Sequence, residues 1–162
     1  MKGFINVSTG EVKAGKASNI LVSNAIGSCI VVAAIDVVNN IGAMAHIMLP
    51  GKAPSKEIQQ KTKYAVDAID KMLQILQQQG AVLSDLSVCL VGAGNVLKKE
   101  NYTICKDNIQ SVINILNEKQ LNISAKTLGG ILRRSIRLDI ENASVYFTEG
   151  ESKEMLLWSW YK

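Results

Sequence analysis

The amino-acid sequence predicts an α+β fold in which helices cover a mixed sheet or a pair of sheets. Short β-branched stretches separated by Gly or Asn fill the first third of the chain and return in the last, as strands do. Between them lie two longer stretches whose apolar residues recur at three- and four-residue steps, the spacing of amphipathic helices. Size agrees with both. At 162 residues, 48% of them hydrophobic, with 2 Pro and 12 Gly, the chain suits one well-buried core and excludes a disordered or collagen-like polymer. A single domain over 1–162 is the expectation.

Taken in order, Phe4 to Val7, Ile20 to Val22, Cys29 to Val38 and Ile41 to Leu49 read as strands. Asn39-Asn40 forms a two-residue turn between the last two, because Asn tolerates the left-handed backbone of such turns. That hairpin pairs the segment beginning at Cys29 with the one containing His46. After Pro54, the residues Ile58, Ala65, Ile69, Met72, Leu73 and Leu76 mark the longest helix, capped by Ser55 and ended by Gly80. Leu86 to Val91 is a buried strand, followed by a loop at Gly92-Ala93-Gly94-Asn95. Ile109, Val112, Ile113 and Leu116 mark a second helix ending near Glu118. Strands return at Ile123 to Leu128, Ser135 to Ile140 and Ala143 to Thr148. The extension from about 149 carries Met155-Leu156-Leu157-Trp158-Ser159-Trp160. Leaving such side chains in water costs roughly 1.5 to 3 kcal/mol each, so this tail docks on its own domain or on a partner.

Several function classes fall away on composition. With 18 Lys+Arg against 14 Asp+Glu the net charge is +4, too small and too dispersed to point to nucleic acid. Arg133, Arg134 and Arg137 form the one basic cluster, read as a solvated turn and strand edge. The longest apolar run, Cys29 to Ile35, stops at Asp36, far short of the roughly 20 residues of a membrane-spanning helix. Asn6, Ser8, Thr9 and Glu11 interrupt any secretory signal. No membrane insertion and a cytoplasmic location are expected. Cys29, Cys89 and Cys105 are odd in number and widely spaced, which suits free thiols. Gly92-x-Gly94 lacks the third glycine of a dinucleotide loop, Leu97 standing in its place, and no phosphate-cradling GxxxxGK[ST] motif occurs. One histidine supplies a zinc site poorly, so neither metal nor cofactor is expected.

What remains is Ser23-Asn24-Ala25-Ile26-Gly27-Ser28-Cys29 with Gly42-Ala43-Met44-Ala45-His46-Ile47-Met48-Leu49-Pro50. A thiol nucleophile needs a base to make the thiolate and backbone N–H donors for the oxyanion. Gly27-Ser28 permits a tight approach at a strand entry where the Cys29 N–H is uncommitted, and the hairpin brings His46 within reach. On chemistry alone a small core cysteine and a hydrogen-bonded structural histidine explain the same residues.

Four phrases in order, Ile26-Gly27-Ser28-Cys29, Gly42 to Pro50, Val91-Gly92-Ala93-Gly94-Asn95-Val96-Leu97 and Leu128-Gly129-Gly130, give the chain a resemblance, over about residues 4 to 147, to the CheD family of chemoreceptor glutamine deamidases. The resemblance implies an α/β sandwich with mixed β-sheet layers and outer helices. It implies Cys29 as nucleophile, His46 as its base, and a hydroxyl residue six positions before the cysteine, typically Thr and here Ser23, as third member. Backbone around Gly27 and Ser28 would hold the oxyanion. The implied partners are a chemoreceptor cytoplasmic domain, as protein substrate, and a CheC-type phosphatase. A chemotaxis binding module with little catalysis is the alternative. Ser23, Arg133 where glycine is expected, and the Trp-bearing extension depart from the family pattern. A nucleophilic Cys29 is expected to titrate below the free-thiol value of about 8.5 and to alkylate before Cys105, with Cys89 last.

Overall fold

The computed structural model describes residues 1–161 as three layers: two helices, a central five-stranded sheet and an outer five-stranded sheet. In chain order the elements are β1 (Gly3–Asn6), β2 (Val12–Lys16), β3 (Asn19–Ile26), β4 (Ile30–Asp36), β5 (Ile41–Ile47), α1 (Ala65–Gln78), β6 (Ser87–Gly92) and α2 (Ile104–Glu118). They continue with β7 (Asn122–Leu128), β8 (Arg134–Asp139), β9 (Ser144–Glu149) and β10 (Met155–Ser159). The central sheet runs β2-β5-β4-β6-β7 and the outer sheet β1-β3-β8-β9-β10. Both are mixed, with β6–β7 and β1–β3 as their parallel pairs.

The apolar run that begins at Cys29 becomes β4, the middle strand of the central sheet, and every residue of it is buried. Strand alternation explains why both faces must be apolar. Ile30, Val32 and Ala34 face the helices, where they meet Ile69, Met72 and Val112; Val31, Ala33 and Ile35 face the outer sheet, where they meet Leu21, Ile136 and Leu138. β5 alternates likewise, with Ala43, Ala45 and Ile47 toward the helices and Met44 toward the outer sheet.

Four boundaries differ from the sequence expectation. The turn after β4 has four residues, Val37 to Asn40, because Asp36 caps it by accepting from the Asn39 backbone N–H (3.1 Å) and side-chain amide (2.7 Å); Asn40 does adopt φ 53°. The long helix starts at Ala65, not Ser55: the backbone N–H groups of Met48 and Leu49 both donate to Lys63 O, and Tyr64 is extended (φ −97°, ψ 143°), so residues 55–63 form only 3-10 turns. β2, Val-Lys-Ala-Gly-Lys, lacks a strand-like pattern because it is a half-covered edge strand. Finally the tail forms β10, antiparallel to β9, and packs Leu157 and Trp158 against the inter-sheet core. It docks on its own domain.

The arginine cluster is not uniformly solvated. Arg134 is buried, with Nη1 donating to Gly92 O (3.1 Å) and Gly129 O (2.7 Å). Arg137 pairs with Glu154 (2.6 Å) and lies over the Tyr146 ring. Both therefore bind parts of this chain together.

Gly92 ends β6 at φ +129°, and a Cβ there would collide with the Cys29 carbonyl and approach Ile26 Cγ2 to 2.6 Å. Gly92→Ala should destabilise the protein by about 2 to 5 kcal/mol through combined backbone strain and overpacking. Urea unfolding checks this; a loss below about 0.5 kcal/mol would contradict the packing described.

Candidate active site

Three strand ends meet at one edge of the sandwich. β3 of the outer sheet carries Ser23 just before a bulge in which Ala25 takes φ 55°. Gly27 to Cys29 then cross from the outer sheet to the central one and enter β4. His46 sits on β5, directly opposite Val31 of β4. Cys29 has the parity of Val31 and packs with the inter-sheet cluster. Cys29 and His46 are therefore diagonal neighbours on one face, a relationship that spans about 7–8 Å between Cα atoms.

His46 is 2% exposed and its Nδ1 lies 2.8 Å from Ser23 Oγ. Ser23 Oγ also lies 2.6 Å from the Val7 carbonyl oxygen. A hydroxyl has one proton, and the carbonyl can only accept, so Ser23 donates to Val7 O and accepts from His46 Nδ1–H. That assignment fixes the tautomer: Nε2 carries the lone pair. It has no hydrogen-bond partner among the described residues, which is the state required of a base.

The carbonyls of the turn are tied back one by one. Gly94 N–H donates to Gly27 O (2.9 Å), Asn108 Nδ2 to Ser28 O (2.9 Å) and Ala93 N–H to Cys29 O (2.7 Å). No backbone acceptor takes the Ser28 or Cys29 N–H among the described residues. A cavity of about 170 Å3 opens beside the turn, lined by Gly27, Ser28, Gly94, Asn95, Val96, Leu97 and Tyr102.

Electrostatics correct one expectation. Burial pushes the Cys29 thiol above its ordinary 9.0, and nearby Cys105 adds to the shift, while its own backbone N–H opposes them. Burial lowers His46 below 6.5, against the pull of the Val7 carbonyl. Burial therefore favours the neutral form of both groups. The Cys29 pKa expected below 8.5 is overturned because, among the described residues, no positive charge acts on the sulfur to offset its desolvation.

Iodoacetamide labelling of Cys29 should consequently keep accelerating with pH to an inflection above 9.0. A plateau reached below about pH 8 would instead show a preformed thiolate. Cys29 is half-buried, whereas Cys105 and Cys89 are buried and Cys89 is pushed up to about 12. Cys29 should label first and Cys89 last. Cys105 is more covered than the sequence suggested.

Ser23, Cys29, His46, Gly27 and Ser28, all singled out in the sequence, gather at this edge. Asn108 was missed, although an Asn on the buried face of an amphipathic helix was an available signal; Arg134 was noticed only as part of a basic cluster read as solvated, whereas it is buried. Among the described residues, no three of His, Cys, Asp and Glu gather as a metal site would require, and no helix is long and apolar enough to cross a membrane.

Comparison with known proteins places the chain in a family. Residues 48–149 match the family model described as CheD chemotactic sensory transduction. That match begins just after His46, but similarity to whole proteins reaches further. The chain is 34% identical over 153 residues to a probable chemoreceptor glutamine deamidase CheD of Chlorobium luteolum, covering 94% of this chain and 76% of that one. It is 28% identical over 145 residues to the chemoreceptor glutamine deamidase CheD of Thermotoga maritima, with 90% of each chain covered. A probable chemoreceptor glutamine deamidase CheD of Desulfitobacterium hafniense is 32% identical over 146 residues, 86% of this chain and 89% of that one. On the family-model match over more than half of the chain and on relatives above 30% identity that span most of it, this protein belongs to the CheD family.

Proposed function

We propose that the protein deamidates glutamine side chains of a chemoreceptor cytoplasmic domain by a thiol mechanism. The observation that carries this reading is the Ser23–His46 hydrogen bond (2.8 Å), which leaves Nε2 unprotonated on the face that Cys29 shares. Nε2 takes the thiol proton as Sγ attacks the carboxamide carbon. The carbonyl oxygen becomes an oxyanion, held by the Ser28 and Cys29 N–H groups. The carbon–nitrogen bond then breaks, and the imidazolium returns its proton to the departing ammonia. Water, activated by the same Nε2, hydrolyses the thioester to glutamate and restores the thiol. Atoms and protons balance without a metal or a nucleotide.

The names of the relatives support the substrate, since they denote enzymes acting on chemoreceptor glutamines. Incubation with a chemoreceptor cytoplasmic domain, followed by peptide mass spectrometry, should show time-dependent Gln-to-Glu conversion. Absence of conversion at every receptor glutamine would overturn the reading.

A second reading, a binding module that also engages a CheC-type phosphatase, has its own support. Met48, Leu97, Ile131 and Leu132 leave apolar surface exposed near the site mouth, where a protein partner would cover it. Full rescue of a chemotaxis defect by the Cys29→Ala protein would favour this reading over the enzyme.

A further inference from the structure

α2 turns Cys105, Val112, Ile115 and Leu116 to the core, and position 108 lies on the same face, fully buried. A leucine there would extend the apolar stripe. Asn108 instead donates through Nδ2 to two carbonyls, Ser28 O at 2.9 Å and Met48 O at 3.2 Å. One belongs to the residue before Cys29, the other to the second residue after His46. Its Oδ1 is buried with no partner among the described residues, and an unpaired buried acceptor is destabilising. Stability alone therefore does not account for this side chain.

Peptide geometry gives the amide a consequence at the thiol. All described peptide bonds are trans, so the Ser28 carbonyl and the Cys29 N–H point in opposite directions. Pinning the Ser28 oxygen to α2 aims the Cys29 N–H away from the helix, on a side where no backbone acceptor takes it. We infer that Asn108 is a positioning residue: by clamping the Ser28 and Met48 carbonyls together it orients the Cys29 N–H as an oxyanion donor and fixes the nucleophile turn against the end of the His46 strand. The inference rests on the reading of Cys29 as nucleophile, and not on the identity of the receptor.

Two reagents separate orientation from thiol reactivity. Iodoacetamide reacts by displacement, a carbon–sulfur bond forming as iodide leaves, and no oxyanion develops. With p-nitrophenyl acetate the thiolate adds to a carbonyl, whose oxygen becomes anionic before p-nitrophenolate departs. Asn108→Asp keeps the shape but sets a carboxylate against two carbonyls; Asn108→Ala removes the clamp outright. In both variants the acylation rate of Cys29, taken relative to its alkylation rate, should fall about 10- to 100-fold. The kcat for receptor conversion should fall by the same factor with KM unchanged. Equal losses in acylation and alkylation would assign Asn108 to the thiol or its base and overturn the inference, as would an unchanged ratio. If both variants loosen the fold until Cys89 labels as fast as Cys29, Asn108 is a packing residue and the inference fails. Wild-type protein that acylates at Cys29, shows the expected ratio change in the variants and converts no receptor glutamine would sink the deamidase reading and leave the clamp standing.

Discussion

Cys29→Ala should reduce conversion of receptor glutamines by at least about 10^3-fold, because the proposed mechanism runs through its thiol. The fold should survive: the residue is half-buried at a strand entry, and such a truncation costs on the order of 1 kcal/mol. Undiminished conversion by a folded Cys29→Ala protein would remove the thiol from the mechanism. Cys105 cannot substitute. It lies on α2, is buried, and its thiol is also pushed up by desolvation.

His46→Ala should cost about 10^2- to 10^4-fold in kcat/KM, the usual contribution of a positioned general base. The same variant carries a second signature in stability. Burial holds the folded His46 pKa below its ordinary 6.5, so between the two values the unfolded chain binds more protons. The stabilisation that neutral His46 provides is complete above pH 6.5 and is lost as pH falls through the lowered folded value. Melting curves of wild type and His46→Ala should therefore converge on acidification, and the wild-type rate should decline over the same window. Parallel curves down to the acid limit would mean that His46 is not held neutral by burial.

Some of this site was legible in the sequence. The pairing of the Cys29 strand with the His46 strand followed from two apolar runs and a turn of asparagines, and the register bears it out with Val31 opposite His46. Hydrophobic pattern and short-range turn chemistry were enough because β4 and β5 are sequence neighbours and sheet neighbours at once. Ser23 is a different case. Its partner belongs to another sheet, and nothing in a linear pattern reports which side chains two stacked sheets bring face to face. A resemblance supplied Ser23; its hydrogen-bonding role came only with the coordinates. Asn108 escaped for a related reason: its two acceptors are 80 and 60 residues away in sequence. The late start of the long helix at Ala65 was equally non-local, since the backbone N–H groups of residues 48 and 49 bond to Lys63 O just before it. The sequence reading of Arg134 as a surface residue failed because it is held by two backbone oxygens, that of Gly129 five residues back and that of Gly92, 42 residues away at the end of β6.

The Ser23–His46 bond spans the seam between the two sheets, among apolar side chains such as Leu138, Met44 and Val145, while Arg134 of β8 donates across the same seam to Gly92 of β6. A hydrogen bond loses most of its strength over a fraction of an ångström, far less displacement than is needed to unfold a sandwich. The Ser23–His46 pair is thus sensitive to the alignment of the two sheets where it crosses between them. Small slips of one layer over the other, whether from a distant core substitution or a partner pulling on an edge strand, would break this bond while leaving both sheets intact.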